Sequence, residues 1–571
     1  MMMIKSNHRS NTVRRLILVG IILQIVLYDL ETTKESNRRL DGTQQQTQQT
    51  RQGQQQSVST HRGHGTHYVT LLVGNPPQPQ RLALSTGTDY VAFPCAGCDS
   101  CGTSPWQPAP YQADNSTTSL APPCPQECLD PQATCDTATH HTDTFCHVQH
   151  MFQSNDDTAG GFHAMEMRDL VLLDMTSDTT TTTTTALSRR QRGVLELDFL
   201  CQTRLSGAHF QNDQLAIGFL GMSRSPQSFV QQMHASGQLH RRVFGLCFRD
   251  FATYDNDNTV GVSAGTVTLG GYDMLHHSSP LVWATTTSNN NTSNRYQYIL
   301  TLRNIHAGIG AGDTDALQRA AAGTMSVVNV CDYDPNLASK APPQQQQAIV
   351  ETNNPISYLH SSYAKALRTV FQSITGLEYN TNGITLPTDG RRVVFPTLFF
   401  QFQVSCVCVC VCVCLVKTAM VVSQTLCCVC LLVKAHDSQG PVSSSLPGFV
   451  GRHDKDHPYD VLLAIPPQHY LSFNNNGNAE GGAPIMPTLL FHNDATIIGA
   501  NVLQQHDVIF DLDHDRIGFA EQDNCAPGLT LVPPSSAETR GRNIDVGNPT
   551  NATTTTNSTN VRPHHACALT R

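Results

Sequence analysis

The sequence predicts a mainly β fold with few helices, long enough for one large two-lobed body or for two or three domains. Three observations predict it. Short runs of β-branched and aromatic residues recur along the chain, broken by Gly, Pro and Asn. Only two segments carry apolar residues at helical spacing. The remaining segments are polar and compositionally simple, and cannot bury a core. The chain has 571 residues and a net charge of -9, with no basic cluster outside its N-terminus. Nucleic acid, which needs a basic face, is therefore not an expected partner.

The elements follow in order. "RRLILVGIILQIVLY" (14–28) places two arginines before an apolar run shorter than the about 20 residues of a membrane span. Residues 1–30 are read as a signal peptide or, if uncleaved, a signal anchor. Only in the second case is a membrane contact expected. Residues 31–66 ("DGTQQQTQQTRQGQQQ") read as a disordered Gln/Thr-rich linker, and residues 526–571 as a disordered polar tail. Strands are predicted in "HYVTLLVG" (67–74), "RLALS" (81–85), "DLVLLDM" (169–175) and "GTVTLGGYD" (265–273). Further strands are predicted in "RYQYILTL" (295–302), "RRVVFPTLFFQF" (391–402), "ATIIGAN" (495–501) and "DVIFDLDHDRIGFAE" (507–521). Helices are predicted in Ser225–Leu239 and Ser361–Gly376, each opening on a Ser able to cap.

Of 20 cysteines, eight lie between Cys406 and Cys430. The other twelve are dispersed: Cys95, Cys98, Cys101, Cys124, Cys128, Cys135, Cys146, Cys201, Cys247, Cys331, Cys525 and Cys567. With an export signal, such a set reads as disulfides. The "CAGCDSC" run (95–101) could suggest zinc, but no second Cys pair stands at finger spacing. No metal and no cofactor are expected. Glycan acceptors at Asn115, Asn290, Asn291, Asn551 and Asn557 fit the secretory pathway. The destination is then secreted, vacuolar or lysosomal, or anchored.

Residues 405–438 ("SCVCVCVCVCLVKTAMVVSQTLCCVCLLVKAHDS") alternate Cys and Val and then stay apolar. A membrane span and a metal-thiolate tract are two readings. The favoured one is a retained intron, because a translated TG repeat reads Cys-Val in one frame.

Five segments carry the functional reading. They are "HYVTLLVGNPPQPQRLALSTGTDYVAFPCAGCDSCG" (67–102), "LAIGFLGMSRSPQSFVQQMHASGQLHRRVFGLCF" (215–248) and "GTVTLGGYDMLHH" (265–277). The last two are "QAIVETNNPISYLHSSYAKAL" (347–367) and "ATIIGANVLQQHDVIFDLDHDRIGFAEQDNC" (495–525). In this order they resemble the pepsin-like aspartic peptidase family, in its plant and protist branch. The resemblance implies a bilobal pepsin-like acid protease fold with two six-stranded-type β lobes and a few short helices. It implies an N-terminal lobe with inter-lobe strands at 67–285 and a C-terminal lobe at 286–525. It also implies a monomer that takes an extended peptide or protein in the cleft between the lobes.

That family uses two aspartates about 3 Å apart, which share a proton because both cannot ionise. One takes a proton from water and the other gives one to the scissile carbonyl. Here Ser85 and Glu351 stand at the two dyad positions. Thr86, Gly87 and Thr88 follow the first as in the family; Thr352 and Asn353 replace the Ser/Thr-Gly after the second. Asn353 is expected to adopt a positive φ less freely than Gly. The flap tyrosine is replaced near Met151 or Phe152, a flap glycine by Asn155, and an aspartate by Ile217. A serine hydroxyl cannot serve as the shared-proton partner, and losing one acid/base role costs about 10²–10⁴ in rate. Asp89 is a conceivable stand-in, though an ordinary solvated turn carboxylate is the expected role. A Ser85 nucleophile would need a nearby base such as His. The expected function is a catalytically impaired or inactive, peptide-binding member of that family. The alternatives are an active endopeptidase with an atypical dyad or a mis-assembled coding sequence, a hydrolase inhibitor on the same fold, and a degenerate gene product.

Overall fold

Period-two burial builds the first strands. A computed structural model describes residues 56–62, 67–101, 108–124, 127–130, 133–135, 145–152, 160–173, 194–206, 218–249, 263–287, 295–308, 328–329, 346–387, 393–404, 408–410, 430–432, 447–450, 454, 457–473, 485–522 and 525. Strand β1 (Gln56–Arg62) alternates, with Val58 and Thr60 turned inward. It pairs with β2 (His67–Val73) on one side and with Ser263–Leu269 on the other. The polar linker read over 31–66 therefore overreaches. "SVST" has the strand alternation that the flanking Gln-rich composition hid.

The architecture is mainly β and rests on one unit used twice. In the first unit, β3 (Gln78–Ser85) and β4 (Val91–Asp99) are joined by the loop after Ser85. Between them lies Gly218–Gly221, parallel to β3 and antiparallel to β4. In the second unit, Gln347–Val350 and Ser357–His360 are joined by the loop after Val350. Thr496–Ile498 lies between them with the same pair of directions. In each unit a glycine lets the central strand slip past the loop. A Cβ on Gly221 would stand 2.2 Å from the Tyr90 carbonyl oxygen, and one on Gly499 would stand 2.2 Å from that of Ile356. No other residue fits either place.

Around the units run two large sheets, one of fourteen strands and one of nine. The nine strands of the second all lie between Ile299 and Ile498, within the expected C-terminal lobe. The first also takes in the C-terminal hairpin. His506–Asp511 pairs with Val243–Phe248, and Arg516–Glu521 with Val282–Thr285. The lobe boundary read as 286–525 is corrected to that extent: the last strands return to the first sheet. Phe244 and Phe510 stack at 4.7 Å across the seam. Each buried phenylalanine contributes on the order of 1.5–3 kcal/mol.

Both predicted helices form, shorter than expected. The first, α1, spans Phe229–Ala235, because Pro226 precedes it and Gly237 takes a positive φ of 75° after it. Ser225 does not cap it. The second, α2, spans Ala364–Thr375 after a single 3-10 turn, and Gly376 ends it at φ 73°. There the His360 ring, not a serine, accepts the Ser362 N–H. Within 405–438, among the described residues, Cys408–Cys410 pairs with Cys430–Leu432 as a two-stranded ribbon.

Ten of the dispersed cysteines form five disulfides: Cys95–Cys201, Cys98–Cys101, Cys124–Cys135, Cys128–Cys146 and Cys247–Cys525. Cys331 and Cys567 lie outside the described residues. The bridge from Cys247 ties the C-terminal hairpin to the first sheet across a separation of 278 residues. Among the described residues no helix is long and apolar enough to cross a membrane.

Candidate functional site

The two loops meet face to face at the junction of the two units. Ser85 is the last residue of β3 and is fully buried. Its hydroxyl lies 2.6 Å from that of Thr88, within its own loop. Thr86 and Thr352 then clasp each other reciprocally. The Thr86 N–H donates to the Thr352 hydroxyl at 3.2 Å, and the Thr352 N–H to the Thr86 hydroxyl at 3.1 Å. Each hydroxyl in turn donates across the junction, Thr86 to the Val350 carbonyl and Thr352 to the Leu84 carbonyl, both at 2.8 Å. A small β-branched hydroxyl does this because it both donates and accepts while its methyl fills space. The structure thus brings together Ser85, Thr86, Gly87, Thr88, Glu351, Thr352 and Asn353.

Glu351 reaches across this junction. A Cβ on Gly87 would stand 3.0 Å from its Oε1 and 3.1 Å from its Cγ, so the longer side chain occupies the space over the opposite loop. Burial pushes the Glu351 carboxyl above the ordinary carboxylate range, and a hydrogen bond with Asn354 opposes the rise. Neither Gly87 nor Asn353 has a positive φ. The conformational reason expected for glycine here is therefore wrong. What Gly87 supplies is room, and at Asn353 a side chain stands where that room would be. The Asn353 Oδ1 is buried without a hydrogen-bond partner among the described residues.

The segment expected to hold the flap forms a hairpin of Cys146–Phe152 and Gly160–Leu173, with Met151 opposite Gly161 and Phe152 opposite Gly160. Asn155 and Ile217 lie outside the described residues. Two hairpin residues, Phe162 and His150, pack on Tyr90 beyond the loop after Ser85, and His150 stands one position before the expected pair. Its ring packs 4.4 Å from that of Tyr90. Val148 is buried two residues earlier, so the period-two face that includes His150 was readable in "HVQHMF".

A cavity of about 700 Å³ opens beside Gly87, walled by Asp89, Tyr90, Asp130, His150 and Tyr296 among others. Asp89 is not the solvated turn carboxylate expected. It is partly buried and accepts a 2.7 Å hydrogen bond from the Ser223 hydroxyl. Burial pushes its carboxyl upward, while Ser223 and the nearby His150 oppose and Asp130 adds to the rise. The bridge Cys128–Cys146 and the loop carrying Leu129 and Asp130 complete one wall.

Residues 67–271 match the family model described as xylanase inhibitor N-terminal. The chain is 25% identical over 203 residues to Aspartic proteinase 36 of Arabidopsis thaliana, covering 35% of this chain and 38% of that one. It is 50% identical over 36 residues to Aspartic protease 5 of Toxoplasma gondii, covering 6% of this chain and 4% of that one. The chain therefore spans well under two thirds of either relative. The crystal structure of basic 7S globulin from soybean superposes with a TM-score of 0.46 at 12% identity, covering 82% of this chain and 94% of that one. The family model and the Arabidopsis match support the resemblance to pepsin-like aspartic peptidases.

Proposed function

We propose that this chain is a non-catalytic, peptide-binding protein built on the pepsin-like plan. One observation carries the reading: the clasp that would hold two carboxylates side by side is complete, and its first position presents Ser85. A hydroxyl hydrogen-bonded to Thr88 is far too weak an acid to share a proton with Glu351. Glu351 alone, buried and with its carboxyl pushed upward by that burial, has no second carboxyl to take the other role. Among the described residues no histidine is a hydrogen-bond partner of Ser85, so a serine nucleophile has no base there. The cleft beside the flap remains suited to an extended polypeptide.

The test is cleavage of a denatured protein substrate by the full chain between pH 3 and 7. A second preparation carries Ser85→Asp, Glu351→Asp and Asn353→Gly. Silence from the first and pepstatin-sensitive products from the second support the reading. Pepstatin-sensitive cleavage by the unaltered chain contradicts it. A second reading, inhibition of another hydrolase, is favoured by the match over 67–271 to a family named for xylanase inhibitors. Loss of xylanase activity on adding the chain would select it.

A further inference from the structure

We propose that the cavity beside Gly87 is a subsite for one basic side chain, lysine or arginine, of an extended polypeptide, with Asp89 as its counter-ion. The inference rests on the peptide-binding reading above and names the chemistry of the ligand.

Pairing the charges on the cavity wall leaves Asp89 over. Asp198 is held by Arg168, whose Nε stands 2.6 Å from its carboxylate, and Glu127 lies 4.0 Å from the same guanidinium. Asp130 stands 3.4 Å from the His150 ring. Asp89 makes no ion pair among the described residues, and its Oδ1 accepts the one neutral hydrogen bond from Ser223. A partly buried carboxylate supported in this way is costly as a charge, as its upward shift records. An arriving cation removes that cost. An apolar side chain would strip Asp89 of water and return nothing.

The shape agrees. Tyr90 and Tyr296 stand on the cavity wall, and aromatic surface suits both the methylene stem of a long basic side chain and the face of a guanidinium. A volume of about 700 Å³ exceeds one such side chain and leaves space for waters. The position also agrees. Gly87, at the junction of the two loops, is part of the same wall, so a polypeptide crossing the junction can send a side chain inward there.

The experiment uses the full chain and capped hexapeptide mixtures. Each mixture fixes arginine at one position, and a matched mixture fixes norleucine there. Binding is read by competition against a fluorescent mixture. At one position arginine should bind roughly tenfold tighter or more, the factor that 1.4 kcal/mol represents. Asp89→Asn, which keeps an oxygen for Ser223, should erase the difference between the paired mixtures. Its unfolding midpoint is measured alongside. Glu127→Gln, on the exposed rim, should leave the arginine preference in place. Arginine preference that survives Asp89→Asn, that falls equally with Glu127→Gln, or that is absent at every position overturns the subsite and leaves peptide binding standing. Failure of every mixture to bind overturns both.

Discussion

Replacing Thr86 with valine tests the clasp with little change of shape. The wild-type hydroxyl donates to the Val350 carbonyl at 2.8 Å and accepts the Thr352 N–H at 3.1 Å. Val350 and Thr352 are each 1% exposed, so no water replaces the lost partner. Two buried backbone groups are left unpaired, each at about 1–3 kcal/mol. Thr86→Val should therefore cost roughly 2–5 kcal/mol, a large share of an ordinary domain's stability. Urea unfolding followed by fluorescence reads it, because Trp283, in the same first sheet, is 7% exposed. Thr352→Val should cost a similar amount by losing its bond to Leu84. The double variant should fall short of the sum by at least about 0.5 kcal/mol, since each threonine is the other's partner. A Thr86→Val loss below about 0.5 kcal/mol, the size of an ordinary surface change, would refute the reasoning.

Acid should destabilise the fold. Burial holds His67 and His469 down at about 3 and His506 at about 4, below the ordinary 6.5. These groups stay neutral in the fold but charge when unfolded. Their contribution is full above about pH 6.5 and is lost as pH falls toward 3. Glu351 and Asp89, shifted upward, act in the opposite sense, losing stability as pH rises from their unfolded values. The three histidines carry the larger shifts, so the melting temperature should drop between pH 7 and 4, and His67→Gln should flatten that drop; a midpoint that rises on acidification would contradict this. Gly499→Ala should cost more than 4 kcal/mol or abolish folding, because its Cβ would meet backbone at 2.2 Å; a secreted, normally melting variant would contradict the packing. Peptide mapping without reduction should recover Cys124–Cys135 and Cys128–Cys146 as separate bridges, and a mixed Cys124–Cys128 link would contradict the pairing.

Much of this was readable from residue order. Strand alternation marked β2 and β3, and the order Ser85-Thr86-Gly87 against Glu351-Thr352-Asn353 marked the junction. The threonine clasp spans 264 to 268 residues and needed both loops in place to be seen. Backbone freedom was the expected reason for a glycine at the Asn353 position, whereas Gly87 in the facing loop supplies room for the Glu351 side chain. Asp89 was misread for a similar cause. Nothing adjacent in sequence reveals Ser223 beneath it or Tyr296 across from it. The strand at Gln56–Arg62 was lost in its own composition, since only two inward side chains distinguish it.

The most direct measurement incubates the full chain with a random peptide library at pH 3 to 7, recovers the protein, and sequences bound and free peptides by mass spectrometry. Intact peptides should be enriched on the protein, with no new termini at any pH. New termini whose appearance a pepstatin-type inhibitor blocks would contradict this.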